Sequence, residues 1–278
     1  MSASDLPELF YVHPCLHKAA ARWFGRIHLP VAPECNIKCR YCTRKFDCAN
    51  ENRPGATSRI LSPGEALQVT SEEVQRDPRL RVVGIAGPGD PLDNPATFET
   101  LELVHNRFPH LIKCISTNGL LLVESLPGLY ARGVRVVTVT VNAVSPAVGV
   151  LIYEHVQYHG RIYRDATGVE LLLQAQLAGI ERASGMGMVV KVNTVYIPMI
   201  NDSHLIEVAL KVKKAGAHVM NLVPLIPMAQ FAGLQPPGRQ QILLARQSLV
   251  GIISQVEHCR QCRADAVGML CQSGDEQI

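Results

Sequence analysis

The chain has 278 residues, 47% hydrophobic and 18% charged, with a formal net charge of +3. That is enough apolar material for a sizeable core, and the length is normal for one α/β barrel domain. The charge bias is too weak to imply a nucleic-acid partner, and no basic run carries interleaved aromatics.

No apolar run reaches the length of a membrane span. The first residues, Met1-Ser-Ala-Ser-Asp-Leu-Pro, lack the basic-then-apolar layout of a signal peptide, so the expected location is cytoplasmic. There are nine cysteines. Their odd number, tight clustering and missing secretion signal favour metal over disulfides.

In chain order, Pro14 within His13-Pro14-Cys15-Leu16-His17 is expected to open a short helix. Cys15 alone reads as a small buried hydrophobe. Arg26 to Val31 is the first predicted strand and feeds Cys35-Asn-Ile-Lys-Cys39-Arg-Tyr-Cys42 at its C-terminal end. In βα barrels that end carries the chemistry. Three thiolates can hold three irons of a 4Fe-4S cube and leave the fourth iron open, unlike a four-cysteine cluster. Zinc sites favour paired CxxC units instead. His28, by position alone, reads as structural. The loop runs on through Cys48, Glu51 and Arg53, and long ordered loops in compact domains are usually functional.

Ser62-Pro63-Gly-Glu65 is a capping box opening a helix to about Arg76. Arg81 to Ala86 is a buried parallel strand ending in Gly87-Pro88-Gly89-Asp90-Pro91, which alone reads as a βα turn. Asn94-Pro95 is expected to cap a helix through about Phe108. Leu111 to Ile115 is the third strand, ending Ser116-Thr117-Asn118-Gly119, with Cys114 facing the same way as Ile112 and Ser116. Residues 121 to 132 form a short helix interrupted by Pro127. Val134 to Val141 is the clearest strand, densely β-branched, and ends at Asn142. Ser145-Pro146 opens the next helix. Asp165 to Arg182 is a helix, and Gly187 to Val195 the fifth strand. Asn201-Asp202 is expected to cap a helix to Ala215, and His218 to Val223 is the sixth strand, ending Pro224-Leu225. A helix from about Gln240 to Val256 closes the pattern.

Six strands alternating with helices imply parallel strands joined by right-handed crossovers. The expected fold class is α/β, a TIM-barrel-like (β/α) barrel of at least six parallel strands, open or closed to eight. The tail, Glu257-His258-Cys259-Arg-Gln-Cys262-Arg263 onward to Gly268, reads as loop carrying a CxxC. It lacks the βαβ context of a thioredoxin, so metal ligation is the better reading. Cys271 has no assigned role.

The Cys35-x3-Cys39-x2-Cys42 spacing, followed after the second strand by Gly87-Pro88-Gly89-Asp90, resembles the radical S-adenosylmethionine (SAM) enzymes. The resemblance implies that Cys35, Cys39 and Cys42 hold a catalytic 4Fe-4S cluster whose open iron chelates SAM. It also implies SAM contacts at Gly87, Pro88, Gly89, Asp90, Thr117, Asn118, Asn142, Asn193 and Leu225. More closely, the chain is similar to the radical SAM family that builds the nitrogenase iron-molybdenum cofactor. That similarity rests on His13-Pro14-Cys15, the run from His28 to Gly55, Ala86 to Pro91, Cys114 to Gly119, Thr138 to Ala143 and Cys259 to Gly268.

This second resemblance implies an oxygen-sensitive enzyme handling two further 4Fe-4S precursor clusters. His28, Cys48 and Cys114 would ligate one; Cys15, Cys259 and Cys262 would ligate the other. The implied reaction fuses them into an eight-iron cluster with a SAM-derived carbide and an added sulfide. Implied partners are cluster donors, NifX- and NifEN-like carrier and scaffold proteins, and a ferredoxin-type electron donor; neither nucleic acid nor membrane is among them. The expected organisation is one barrel domain over 1–278, with segments 1–25 and 257–278 carrying auxiliary ligands and no NifX-like C-terminal domain. Glu51 and Asp90 stand as candidate proton acceptors, with neither assigned. Two alternatives remain open: another radical SAM maturase with auxiliary clusters, and a non-enzymatic iron–sulfur carrier.

Overall fold

Runs of valine and isoleucine too short for helices recur along this chain, and buried on both faces they form the strands of a parallel sheet. The computed structural model describes residues 8–270 except 46, 51–56 and 58. Glu51 and Cys271 lie outside the described residues.

Two short helices, α1 (Glu8–Val12) and α2 (Ala20–Trp23), open the chain. Pro14 between them starts a turn and not the expected helix. The amides of Leu16 and His17 return to the His13 carbonyl, and the His13 ring takes the Cys15 amide, so the turn closes on itself. β1 (Gly25–His28) leads into the cysteine loop, which contains β2 (Ile37–Cys39). Then come α3 (Pro63–Arg76), β3 (Leu80–Ile85), α4 (Pro95–Arg107), β4 (Ile112–Thr117), α5 (Leu122–Ala131), β5 (Val134–Thr140) and α6 (Pro146–Ile152). β6 (Tyr153–Tyr158), β7 (Arg161–Tyr163), α7 (Ala166–Gly185), β8 (Val189–Tyr196), α8 (Leu205–Lys214), β9 (Val219–Pro224), α9 (Arg239–Val250), β10 (Ser254–Gln255) and β11 (Val267–Met269) complete it.

The capping box of α3 forms as expected, with Ser62 and Glu65 bonding each other's backbone amides. Asn94 and Asn201 do not cap with their side chains. Asn94 instead ties Glu34 to Asp90, and Asn201 ties Asn142, Val195 and Ile197 together. Helix α5 continues through Pro127. Leu122, Leu126 and Leu129 are fully buried on it. At about 1.5–3 kcal/mol each, they outweigh the ~3 kcal/mol that an interior proline costs.

The main sheet has eight strands in the order β10-β9-β8-β5-β4-β3-β1-β11. Every neighbouring pair is parallel except β1 with β11. The expected six parallel strands are thus joined by β10. The tail is not loop alone, because Val267–Met269 adds an antiparallel edge to β1. Among the described residues β10 and β11 do not pair, so the barrel stays open. A second, antiparallel sheet joins β2, β6 and β7. Its hairpin turns at His159 and Gly160, both at positive φ, the conformation favoured by two-residue turns. Cys39 pairs with Tyr153, so this sheet props the cysteine loop.

One core fills the space between sheet and helices. A second lies under the cysteine loop around Tyr41, Tyr153, Leu172, Val195 and Phe231. A third gathers Phe10 and Leu16 against Val82, Ile112, Val136, Val189, Val219 and Val256, plugging the starts of the strands. Gln176 of α7 is fully buried, and its amide donates to the carbonyls of Asn118 and Thr140 at 2.8 and 2.9 Å. Gln176→Ala strands both acceptors, and each buried unmet group costs about 1–3 kcal/mol. The urea midpoint is expected to fall with the slope unchanged; an unaltered midpoint would show these bonds to be dispensable.

Candidate functional site

Two neighbouring cavities open within the barrel. The first is walled by Cys35, Cys39, Cys42 and Cys48, by Pro88-Gly89-Asp90, and by Thr117 and Asn118. The second gathers Cys15, His28, Cys114, Cys259 and Cys262, together with His13, Lys191 and His258. Ser116, near the end of β4, belongs to both walls.

The first cavity is shaped by one close backbone approach. An ideal Cβ on Gly89 would lie 2.1 Å from the Glu34 carbonyl oxygen, which only glycine permits. The Gly89 and Asp90 amides donate to the Ala32 and Glu34 carbonyls at 2.6 and 2.7 Å. The glycine turn therefore grips the segment entering Cys35. Asp90 is buried, and burial pushes its carboxyl up to about 6. Its oxygens accept from the Leu92 and Asn118 amides and the Thr117 hydroxyl. This turns Asn118 toward the loop, where its amide nitrogen lies 2.7 Å from Asn36 Oδ1 and 3.8 Å from Cys35 Sγ. Arg44, at positive φ, donates to the carbonyls of Cys35 and Ile37, and Lys38 donates to that of Cys42 at 2.5 Å.

Of the expected SAM contacts, Gly87 is not in the lining of this cavity, and neither are Asn142, Asn193 and Leu225. Asn142 is fully buried and donates to Tyr41 Oη while accepting from Val195. Asn193 donates to the Asn50 carbonyl and accepts from Asn221. Leu225 packs in the core beneath the loop. These three hold the cysteine loop from below.

In the second cavity His28, Gly84 and Cys114 are aligned across adjacent strands β1, β3 and β4. A Cβ on Gly84 would lie 3.1 Å from both His28 Cδ2 and Cys114 Sγ, so the glycine leaves room between the two side chains. His28 Nδ1 faces the Arg263 carbonyl at 3.1 Å, which puts the ring hydrogen on Nδ1 and leaves the Nε2 lone pair for a metal. Burial, then the nearby Arg26, pushes its pKa down to about 4, so the ring stays neutral. The tail is sewn down around it. Arg26 donates to the Gly268 carbonyl and lies 3.0 Å from Cys262 Sγ; His258 reaches the Pro14 carbonyl; the Ala264 amide donates to Asp47 beside Cys48.

Cys48 falls in the first cavity, whereas His28 and Cys114 fall in the second. Asp47, Lys191, His13 and His258 were not singled out from sequence. A lysine among valines in a strand buried throughout was a readable signal for Lys191. Burial pushes the Cys35 thiol up to about 11 and those of Cys39 and Cys15 to about 12. Among the described residues no three His, Cys, Asp or Glu side chains converge on one point. Three soft sulfur donors lining one cavity fit a 4Fe-4S cluster.

An open parallel barrel with a three-cysteine loop at the C-terminal end of its first strand is the arrangement of radical SAM enzymes, and residues 29–212 match the family model "Radical SAM superfamily". A solved structure of histidine-tagged anSMEcpe with bound AdoMet shares the fold at TM-score 0.53 and 16% identity, over 81% of this chain and 55% of that one. Within the superfamily the chain belongs to the NifB family. It is 43% identical over 269 residues to the FeMo cofactor biosynthesis protein NifB of Methanocaldococcus infernus, covering 96% of this chain and 88% of that protein. With the NifB of Chlorobaculum tepidum it shares 42% identity over 96% of this chain and 63% of the relative; with that of Klebsiella pneumoniae, 43% over 96% and 58%. The chain thus spans less than two thirds of the length of these last two.

Gly89→Ala is expected to force the Glu34 carbonyl away and cost at least about 1–3 kcal/mol. Gly64→Ala, with open space around it, serves as the control and should cost nothing in the same urea titration.

Proposed function

We propose that this chain is a radical SAM enzyme of nitrogenase cofactor biosynthesis whose substrates are SAM and two 4Fe-4S clusters. It fuses the clusters into an eight-iron precursor carrying a SAM-derived carbide and an added sulfide. The observation that supports this most is the pair of adjoining cavities. One carries Cys35, Cys39 and Cys42; the other collects five further ligand-type side chains from the N-terminal turn, β1, β4 and the tail.

When bound on Cys35, Cys39 and Cys42, a 4Fe-4S cluster supplies the electron that cleaves SAM to a 5'-deoxyadenosyl radical. The chain's own residues do the positioning. Gly89 and Asp90 fix the loop, and Thr117 and Asn118 at the end of β4 face the same space. Asp90 spends its oxygens on backbone and hydroxyl donors, so its part is to orient Asn118 and not to collect substrate protons. Cys15, Cys259 and Cys262 are assigned to one precursor cluster, and His28, Cys114 and Cys48 to the other. Three ligands per cube, with an imidazole among those of the second set, suit a cargo that must leave. Ser116, shared by both walls, marks where the SAM-derived carbon passes between the sites. The whole of 1–278 is assigned to one barrel unit, and the product passes to NifX- and NifEN-like carriers, with a ferredoxin-type donor supplying electrons.

Anaerobic reconstitution followed by SAM turnover with dithionite tests the reading. It requires roughly three four-iron clusters per chain, and both 5'-deoxyadenosine and S-adenosylhomocysteine as products. 5'-Deoxyadenosine alone points to a different radical SAM maturase; neither product leaves an iron–sulfur carrier. Cys114→Ala should lose about four irons with SAM binding intact. Cys48→Ala should do the same. If it abolishes SAM cleavage while keeping the auxiliary iron, Cys48 belongs to the first site.

A further inference from the structure

The second cavity is lined by a buried histidine, one ring nitrogen of which has no hydrogen-bond partner among the described residues. His13 is 2% exposed and lines that cavity. Its Nδ1 accepts the Cys15 amide hydrogen at 3.1 Å. A nitrogen that accepts a hydrogen bond carries no proton, so the neutral ring has its hydrogen on Nε2. Nε2 is shielded from solvent and, among the described residues, has no hydrogen-bond partner. Buried donors are nearly always met, so an unmet one on a residue that lines a cavity points to an occupant that accepts.

The tautomer also says what His13 is not. Binding iron through Nε2 would need that nitrogen bare and the hydrogen moved to Nδ1. There it would meet the Cys15 N–H head-on. His28, in the same cavity, is held the other way, with Nδ1 on a carbonyl and Nε2 carrying the lone pair. His258 spends its Nε2 on the Pro14 carbonyl. Of these three imidazoles, one is arranged as a ligand, one as a strut and one as a donor.

Resting on the cluster assignment above, we propose that His13 donates an Nε2–H···S hydrogen bond to a sulfide of the cluster seated on Cys15, Cys259 and Cys262. The Cys15 amide bond locks the ring to the very residue whose thiolate would hold that cluster. A donor to a cluster sulfur stabilises the more negative, reduced state and raises the reduction potential. The effect is larger where water is excluded. His13 would then decide how readily one precursor cluster accepts an electron relative to the other.

The test compares the reconstituted full chain with His13→Phe, His13→Gln and Cys15→Ala, by iron content and by potentiometric titration followed by EPR. The expected result is that His13→Phe keeps all its iron, and one auxiliary cluster moves to a more negative potential while the other two stay. His13→Gln, which retains an N–H, should recover part of the shift. Unchanged potentials at full iron overturn the proposal and give Nε2 to a water; loss of about four irons overturns it by making His13 a ligand. Because phenylalanine at so buried a position can disturb the fold, pulsed EPR of the wild-type chain with 15N-histidine gives a second reading. An exchangeable proton and a weak nitrogen coupling are expected on one auxiliary cluster, and their absence counts against the bond. If Cys15→Ala keeps all its iron, the ligand assignment itself fails and this proposal with it. If Cys15→Ala loses a cluster and His13→Phe shifts nothing, only the donor fails.

Discussion

The approach of Gly89 to the Glu34 carbonyl sets the geometry of everything downstream. No other residue type fits there. Because it fits, the turn after β3 can bond the segment after β1, and the cysteine loop enters at a fixed height above the sheet. Asp90 then passes that position to Asn118, and Gln176 anchors the Asn118 carbonyl from the helix behind. The chain of contacts runs from a missing methyl group to the wall opposite Cys35. Glycine at this point serves the protein's own backbone before it serves any ligand.

The second cavity is built on a different principle. Its ligand-type residues come from segments far apart in sequence, and both polar contacts and the third core hold them together. Arg26 alone reaches both Gly268 and Cys262, and His28 and Asp47 each fix a backbone group of the tail. Buried charge of this kind is expensive unless it is answered. Among the described residues no carboxylate lines the cavity. Lys191 and Arg260 line its wall, and Arg26 reaches Cys262.

Much of the fold was legible because β-branched runs and capping residues act locally. Ser62 with Glu65 and the valines of β5 needed no tertiary information. The hairpin of β6 and β7 was missed because its alternation is interrupted by charged and polar residues and its turn, His159-Gly160, is not among the strongest turn pairs. Asn94, Asn201, Asn142 and Asn193 show the limit of reading asparagine from sequence. Asn94 and Asn201 sit where a cap was expected and bond distant backbone groups instead, while Asn142 and Asn193 tie the cysteine loop to the sheet through Tyr41 and Asn50. The site was legible in its cysteines, whose spacing is chemical. His13 was not, because the role of its ring depends on which nitrogen faces the Cys15 amide.

The antiparallel pairing of β11 with β1 has a further result. An open sheet presents unpaired amides and carbonyls at its rims, which invite another chain to add a strand. One rim ends in β10, only two residues long. The other would be β1 itself, were it not covered by the segment that follows Cys259 and Cys262. The tail that brings these two cysteines is therefore also the sheet's edge guard. Cutting it away would remove both cysteines and uncover the β1 edge in one stroke, so such a truncation would first be seen as lost solubility.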